Sequence, residues 1–105
     1  KTTKIKSSGI SIATESRTKA RVVFEGEVMS ILAFKNSNPT VLIKHGNYIT
    51  AYKNLSKVFV KKGQIVKSKE DLGEIFTNIE TGQTILQFSV FRGMKSENPV
   101  LWLFQ

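Results

Sequence analysis

The chain has 105 residues, which is enough for one compact domain and too short for two. Its hydrophobic fraction of 40% excludes an intrinsically disordered protein, and no apolar run reaches the roughly 20 residues of a membrane-spanning helix, so we expect no membrane insertion of this domain. Cysteine is absent, which excludes disulfides and cysteine-based zinc sites, while the net charge of +8 is compatible with nucleic acid, anionic lipid, an anionic polymer or an acidic protein as a partner.

Six segments rich in β-forming residues follow one another along the chain. They span residues 20–24, 27–34, 40–45, 47–53, 72–76 and 84–91, and turn-forming residues interrupt them at 25–26, 36–39, 45–47, 62–63 and 81–82. No stretch shows a sustained helical period of about 3.6 residues. The pattern predicts an all-β fold, an antiparallel sandwich or barrel-like domain.

Alternation within two of these segments predicts a shallow groove. In residues 84–91, one face is fully apolar and should belong to the core, because it carries Leu86, Phe88 and Val90. The opposite face is mixed and carries Ile85, Gln87, Ser89 and Phe91. The same parity around residues 48–54 groups Tyr48, Thr50, Tyr52 and Asn54. We expect these two mixed faces to lie side by side and to form the floor of the groove.

Five short segments carry a more specific signal. They are Gly26-Glu27-Val28, Ile43-Lys44-His45-Gly46, Thr50-Ala51-Tyr52-Lys53-Asn54-Leu55, Val60-Lys61-Lys62-Gly63-Gln64-Ile65-Val66 and Asn98-Pro99-Val100-Leu101-Trp102-Leu103. Together they resemble the LytM-type (lysostaphin-like) zinc endopeptidases, which cut peptidoglycan crosslinks. The resemblance covers roughly residues 7–103 and implies a single LytM domain over residues 1–105. Because the chain starts at Lys1 without a Met, we expect it to be the C-terminal part of a longer envelope protein.

The resemblance fails at the positions that carry the chemistry of the family. The first ligand His of the family falls on Ser7, and the ligand Asp falls on Ser11. The His of the Thr-x-Tyr-x-His-Leu motif falls on Asn54. The two His of the final strand fall on Ile85 and Gln87. Zinc needs three or four nitrogen, sulfur or carboxylate donors, and hydroxyl and amide groups replace them poorly. We therefore expect no catalytic residue, no metal and no cofactor, and hence no enzyme. The only His, His45, should be a turn or packing residue.

Metal-free LytM domains resemble the EnvC-like activators of peptidoglycan amidases. This implies a non-catalytic domain that binds and activates an N-acetylmuramoyl-L-alanine amidase during cell-wall remodelling and daughter-cell separation, in the bacterial periplasm or cell envelope. In those proteins the former catalytic cleft is the docking groove. The expected groove residues here are Ser7, Ser11, Tyr52, Asn54, Ile85, Gln87, Phe91 and Arg92.

Several alternatives stay open at this point. The domain could bind peptidoglycan directly without an amidase partner, since a basic groove suits the carboxylates of cell-wall glycopeptide. An active peptidase would need His and Asp where Ser7, Ser11 and Gln87 stand. A lipoyl-like or biotinyl-like domain would need a Lys in a tight hairpin with flanks that Gly93-Met94-Lys95 lacks, and no nucleic-acid-binding motif is present. Arg92 fits either a carboxylate clamp or a solvated surface.

Overall fold

A computed structural model describes residues 9–92 together with the backbone of residues 95–97. Ten strands and their turns make up this part of the chain, and none of its residues is helical. The strands are β1 (Gly9–Thr14), β2 (Lys19–Arg21), β3 (Gly26–Leu32), β4 (Thr40–His45), β5 (Tyr48–Lys53), β6 (Leu55–Val58), β7 (Ile65–Val66), β8 (Asp71–Ile75), β9 (Thr84–Arg92) and β10 (Lys95–Glu97).

The strands form two antiparallel sheets. The large sheet has the strand order β1-β9-β5-β4-β3-β7. The short strand β10 also pairs with β9, on the same edge as β1 and beyond the end of β1. The small sheet has the strand order β2-β8-β6. The predicted all-β antiparallel architecture is therefore confirmed. Within the described ranges, no helix has the length and hydropathy needed to cross a membrane.

The core lies between the two sheets. Leu86, Phe88 and Val90 of β9 are buried on its inner face, as the alternation of the sequence predicted. The small sheet contributes Leu72 and Ile75 to the same cluster. Burial of these three side chains determines which side of β9 points away from the core.

Several strands differ from the prediction. The segment expected at 20–24 forms a strand only at Lys19–Arg21, because Val22 leaves β2 and exchanges hydrogen bonds with residues 69 and 70 instead. Strands β1, β6, β7 and β10 were not predicted. Two of them, β6 and β7, have only four and two residues, so they depend on pairing with β8 and β3 rather than on local propensity. The predicted motif at 98–103 lies outside the described residues.

The face assigned to β5 was wrong. Tyr52 pairs with Phe88 and Thr50 pairs with Val90. Directly paired residues of antiparallel strands point to the same side of the sheet, so Tyr52 and Thr50 share the core face of β9. Both are buried, and the rings of Tyr52 and Phe88 lie 5.3 Å apart between centroids. The polar atoms on this face of β5 are the buried hydroxyl groups of Thr50 and Tyr52, and they do not line a groove.

Replacing a core residue of β9 should destabilise the protein far more than replacing a residue on its outer face. Phe88→Ala should lower the free energy of unfolding by about 3–5 kcal/mol, because it removes a fully buried ring from the core. Gln87→Ala, one residue away on the outer face, should change it by no more than about 0.5 kcal/mol. Chemical denaturation of the two variants measures both values, and equal losses would mean that the faces of β9 are assigned wrongly.

Candidate functional site

A groove with a volume of ≈ 260 Å³ lies on the outer face of the large sheet, at the end where β9 begins. Three parts of the chain form it: a floor from β1 and β9, one residue from the junction of β5 and β6, and a wall from the turn between β8 and β9. Its lining residues are Ser11, Asn54, Phe76, Asn78, Thr81, Gln83, Ile85 and Gln87.

The floor follows from the pairing of β1 with β9. Ser11 pairs with Gln87, and Ala13 pairs with Ile85, so these side chains share the face opposite to Leu86. Both Ser11 and Gln87 are exposed, which leaves a hydroxyl and an amide available to a ligand. The groove floor is therefore the reverse side of the strand that carries the core.

Asn54 holds the junction of β5 and β6 against the floor. Its backbone adopts a left-handed conformation, with a φ of 73°, which Asn tolerates better than most residues. This conformation breaks the alternation of β5, so Asn54 reaches the groove while Tyr52 stays in the core. The Asn54 side chain donates from Nδ2 to the carbonyl oxygen of Ile85 at 2.7 Å and accepts at Oδ1 from Nδ2 of Asn38 at 2.7 Å.

The wall was missed by the sequence analysis, and it is held by Asn78. Its Oδ1 accepts from the backbone N–H groups of Glu80 at 2.9 Å and Thr81 at 3.1 Å, while Gly82 N–H donates to its carbonyl oxygen at 2.7 Å. This Asx-type turn displays Ile79 at its apex, where the side chain is 94% exposed. The sequence did contain a signal for this turn, because the turn-forming residues Asn78 and Gly82 stand directly before the strand that carries Ile85.

The structure brings four of the predicted residues together at the groove and separates three others from it. Ser11, Asn54, Ile85 and Gln87 line it; that they contact a partner stays a prediction. The placement of Tyr52 at the groove is wrong, because Tyr52 is 1% exposed on the inner face. Ser7 lies outside the described residues.

Phe91 and Arg92 are the other two residues that do not line the groove. Phe91 is half-buried on the outer face beside Ile49, further along β9 than Gln87. Arg92 pairs with Tyr48, and its guanidinium carbon lies 5.8 Å above the centre of the Tyr48 ring. This cation–π contact lies at the end of β9 away from the groove.

The chemistry of the groove is neutral. Its polar side chains are hydroxyls and amides, and none of the lining residues carries a charge or an imidazole. In residues 9–92 no three His, Cys, Asp or Glu side chains come close enough to hold a metal ion. This donor set does not fit zinc, which prefers imidazole, thiolate and carboxylate ligands. His45 is the last residue of β4 and lies on the inner face of the large sheet. Both of its ring nitrogens are hydrogen-bonded, one to the Glu25 carbonyl oxygen and the other to Oγ1 of Thr50.

Comparison with known proteins finds similar folds among peptidases. The family model described as Peptidase family M23 matches residues 5–99. The chain is similar to a putative peptidase M23 from Pseudomonas aeruginosa, with 26% identity, a TM-score of 0.79, and coverage of 98% of this chain and 46% of the other. It is also similar to a zinc containing peptidase from Vibrio cholerae, with 27% identity, a TM-score of 0.73, and coverage of 86% and 28%.

The fold is shared with more distant structures as well. The solution structure of lysostaphin matches with 17% identity, a TM-score of 0.80, and coverage of 91% of this chain and 42% of the other, which confirms the lysostaphin-like fold. The chain spans less than half the length of each of these three proteins. A search of the curated proteins finds no match.

Substitutions at Asn54 should separate its backbone conformation from its hydrogen bonds. Asn54→Ala loses both side-chain bonds and keeps a Cβ in the left-handed region, where a residue other than Gly, Asn or Asp costs roughly 1–2 kcal/mol. Asn54→Gly loses the same bonds without that conformational cost. The glycine variant should therefore be more stable than the alanine variant by about 1 kcal/mol in chemical denaturation. Equal stability of the two variants would contradict the left-handed conformation.

Proposed function

Because the chain belongs to peptidase family M23, we propose that it is a non-catalytic member, which uses the peptidase fold to dock a partner. The supporting observation is the neutral lining of the groove. A zinc hydrolase needs a metal that lowers the pKa of a bound water and polarises the scissile carbonyl. Hydroxyl and amide side chains at Ser11, Asn54 and Gln87 supply neither the ligands for that metal nor a general base.

Family membership points to a role in the bacterial cell wall, and within that role we propose amidase activation. The domain binds an N-acetylmuramoyl-L-alanine amidase and raises its activity during wall remodelling and daughter-cell separation. It acts in the periplasm or cell envelope as part of a longer protein. Activation requires that the domain bind the active form of the amidase more tightly than the inactive form, since a ligand shifts an equilibrium only by its differential affinity.

The geometry of the groove supports docking of a protein segment. A preformed concave surface with a few polar groups favours specific recognition. Beside it, the wall turn presents the apolar side chain of Ile79 almost entirely to solvent. Burying such a side chain in a partner pocket contributes about 1.5–3 kcal/mol, or roughly 10-fold to 100-fold in Kd. The net charge of +8 favours an acidic partner and makes association faster at low salt.

Direct binding of peptidoglycan is a second candidate, and the composition of the groove favours it. The side chains of Ser11, Gln83 and Gln87 are exposed donors and acceptors without charge. Such groups match the backbone amides of a stem peptide. This binding is compatible with amidase activation and would place the domain near the substrate of its partner.

The purified protein should hold no stoichiometric zinc. Because the groove offers hydroxyl and amide donors, elemental analysis should find no tightly bound zinc, and the protein should not cleave muropeptides. The non-catalytic assignment would be overturned if the protein held one zinc per chain and cleaved muropeptides, and if a chelator removed the zinc and abolished the cleavage.

Amidase activation should depend on Ile79. In a dye-release assay on purified cell wall with an amidase of the same organism, the wild-type protein should raise the rate. Ile79→Ser should weaken binding to the amidase by roughly 10-fold or more, because it removes the exposed apolar anchor. Ile65→Ser is the matched control. Ile65 is also an exposed isoleucine, but it lies on β7, roughly 24 Å from β1 across five strand spacings.

The outcomes of this assay separate the candidates. A wild-type protein that neither binds the amidase nor raises its rate would refute amidase activation. If Ile79→Ser and Ile65→Ser both behave as wild type, the wall turn is not the anchor. Co-sedimentation with purified cell wall in the absence of amidase, together with an unchanged amidase rate, would establish the peptidoglycan-binding function instead.

A further inference from the structure

One side of β3 is only partly paired. Within the described residues, β7 pairs with β3 at Gly26 and Glu27, and the turn before β7 extends this contact to Val28. There the N–H of Val28 donates to the carbonyl oxygen of Gln64, and the Val28 carbonyl oxygen accepts from the N–H of Gly63, both at 2.8 Å. Past Val28, no strand in the described ranges lies on this side, so the second half of β3 is an open edge of the large sheet.

The alternation of the ladder shows which backbone groups the open edge presents. Because both backbone groups of Val28 point away from β4, its pair with Ile43 is not hydrogen-bonded. Along β4 the direction alternates, so Val41, two residues from Ile43, also turns its backbone groups away from β3. Ile31 pairs with Val41. The N–H and C=O of Ile31 therefore point to the open side, where they offer one donor and one acceptor to a further antiparallel strand.

Apolar side chains accompany these backbone groups. Leu32 and Phe34 are 36% and 67% exposed, and no residue from 29 to 35 is buried. An edge that is only protected against pairing carries charged residues or proline at such positions. A strand added beside β3 would instead place its own side chains next to Leu32, as cross-strand neighbours do within a sheet.

The positive charge of the protein is concentrated in the part of the sequence that surrounds this edge. Residues 28–69 hold eight of the 16 basic residues and none of the eight acidic ones, so the rest of the chain is neutral and this stretch carries the net charge of +8. Lys61 and Lys62 lie in the turn that bonds to Val28, and Lys35 lies in the turn that follows β3. All three are exposed, and neither ion pair found among the described residues involves them.

We propose that the open edge of β3 binds a short extended segment of a partner protein, apolar in the middle and acidic at both ends. The segment adds to the large sheet as an antiparallel strand in line with β7, with its backbone hydrogen-bonded to Ile31. One acidic end meets Lys61 and Lys62, and the other meets Lys35. At about 3.4 Å per residue, the five positions 30–34 span roughly 17 Å, which sets the length of the segment.

The same charges argue against a second copy of this chain as the occupant. Antiparallel pairing of two β3 edges about a twofold axis would bring Lys35 of one copy towards Lys61 and Lys62 of the other. Like charges in these positions oppose association, whereas they attract acidic side chains. The edge is also separate from the groove, because β3 lies three strands away from β9 in the large sheet. Its occupancy therefore does not depend on what the groove binds.

The first test uses the whole protein and a synthetic peptide. The peptide is capped and has seven residues, with valine and threonine alternating between an aspartate at each end. One control peptide has lysine at both ends, and another has proline in place of the central valine. In fluorescence anisotropy at about 0.1 M salt, the acidic peptide should bind about 10-fold more tightly than either control, since lysine reverses the charge attraction and proline cannot continue a strand. No binding of the acidic peptide, or equal affinity of the three peptides, would overturn the proposal.

Amide hydrogen exchange locates the bound peptide. Exchange at Ile31 should slow in the complex, because its N–H gains an acceptor, while Gln87 beside the groove should be unchanged. Protection near Gln87 without protection at Ile31 would place the peptide in the groove and refute the edge site. A free protein that sediments as a dimer with a protected Ile31 amide would identify a second copy as the occupant and would also refute the proposal.

A charge variant with a matched control separates local attraction from net charge. Lys61→Gln combined with Lys62→Gln should weaken binding of the acidic peptide by roughly 3-fold or more. Lys67→Gln combined with Lys69→Gln removes the same charge from the turn at the other end of β7, and it should keep the wild-type affinity because exposed charges are screened beyond roughly 10 Å at this salt concentration. All four lysines are exposed, so both variants should fold. An equal loss in the two variants would refute the assigned position of the acidic end.

Discussion

The register of β9 is the constraint on which the rest of the structure depends. This strand pairs with β5 on one side and with β1 and then β10 on the other, so a shift of one residue would exchange its two faces along its whole length. Burial of Phe88 and Val90 between the sheets opposes such a shift. The same register sets Gln87 opposite Ser11, so packing of the core determines the composition of the groove floor on the reverse side.

Polar side chains act mainly where the backbone leaves the regular ladders. The carbonyl of Ile85 accepts from Asn54, the carbonyl of Glu25 accepts from His45, and the N–H of Val23 donates to Tyr52. The contacts of Ile85 and Val23 are part-buried, where a backbone group without a partner would be unfavourable. The two ends of the large sheet are thus stabilised in the same manner, although one borders a groove and the other joins the sheets.

The sequence determined the elements with strong local signals. The alternation of residues 84–91 and the hairpin of residues 40–53 were predictable, because a two-residue period and turn-forming residues identify them without knowledge of the partners. The side to which Tyr52 points was not, because it depends on how β5 aligns with β9 in space. Its phenol hydroxyl made a core position look like a polar surface.

The candidate site was predictable only in part, for a related reason. Ser11 and Gln87 follow from the motif positions of the family that the sequence resembles, and Ile85 and Gln87 also follow from the strand parity of residues 84–91. The wall formed by Asn78 and Gln83 comes from a turn, and turns carry no periodic signal that assigns them to one face of a sheet. The left-handed backbone at Asn54 also depends on tertiary contacts, since Asn occurs in many other conformations.

The turn around Asn78 has a thermodynamic consequence for any partner. Its backbone is already hydrogen-bonded to itself, so the apex is ordered before an encounter takes place. Association at this surface therefore avoids the entropic penalty of fixing a mobile loop. Calorimetry of such a complex would report a negative heat-capacity change that scales with the apolar area covered, without the additional contribution of a segment that folds on binding.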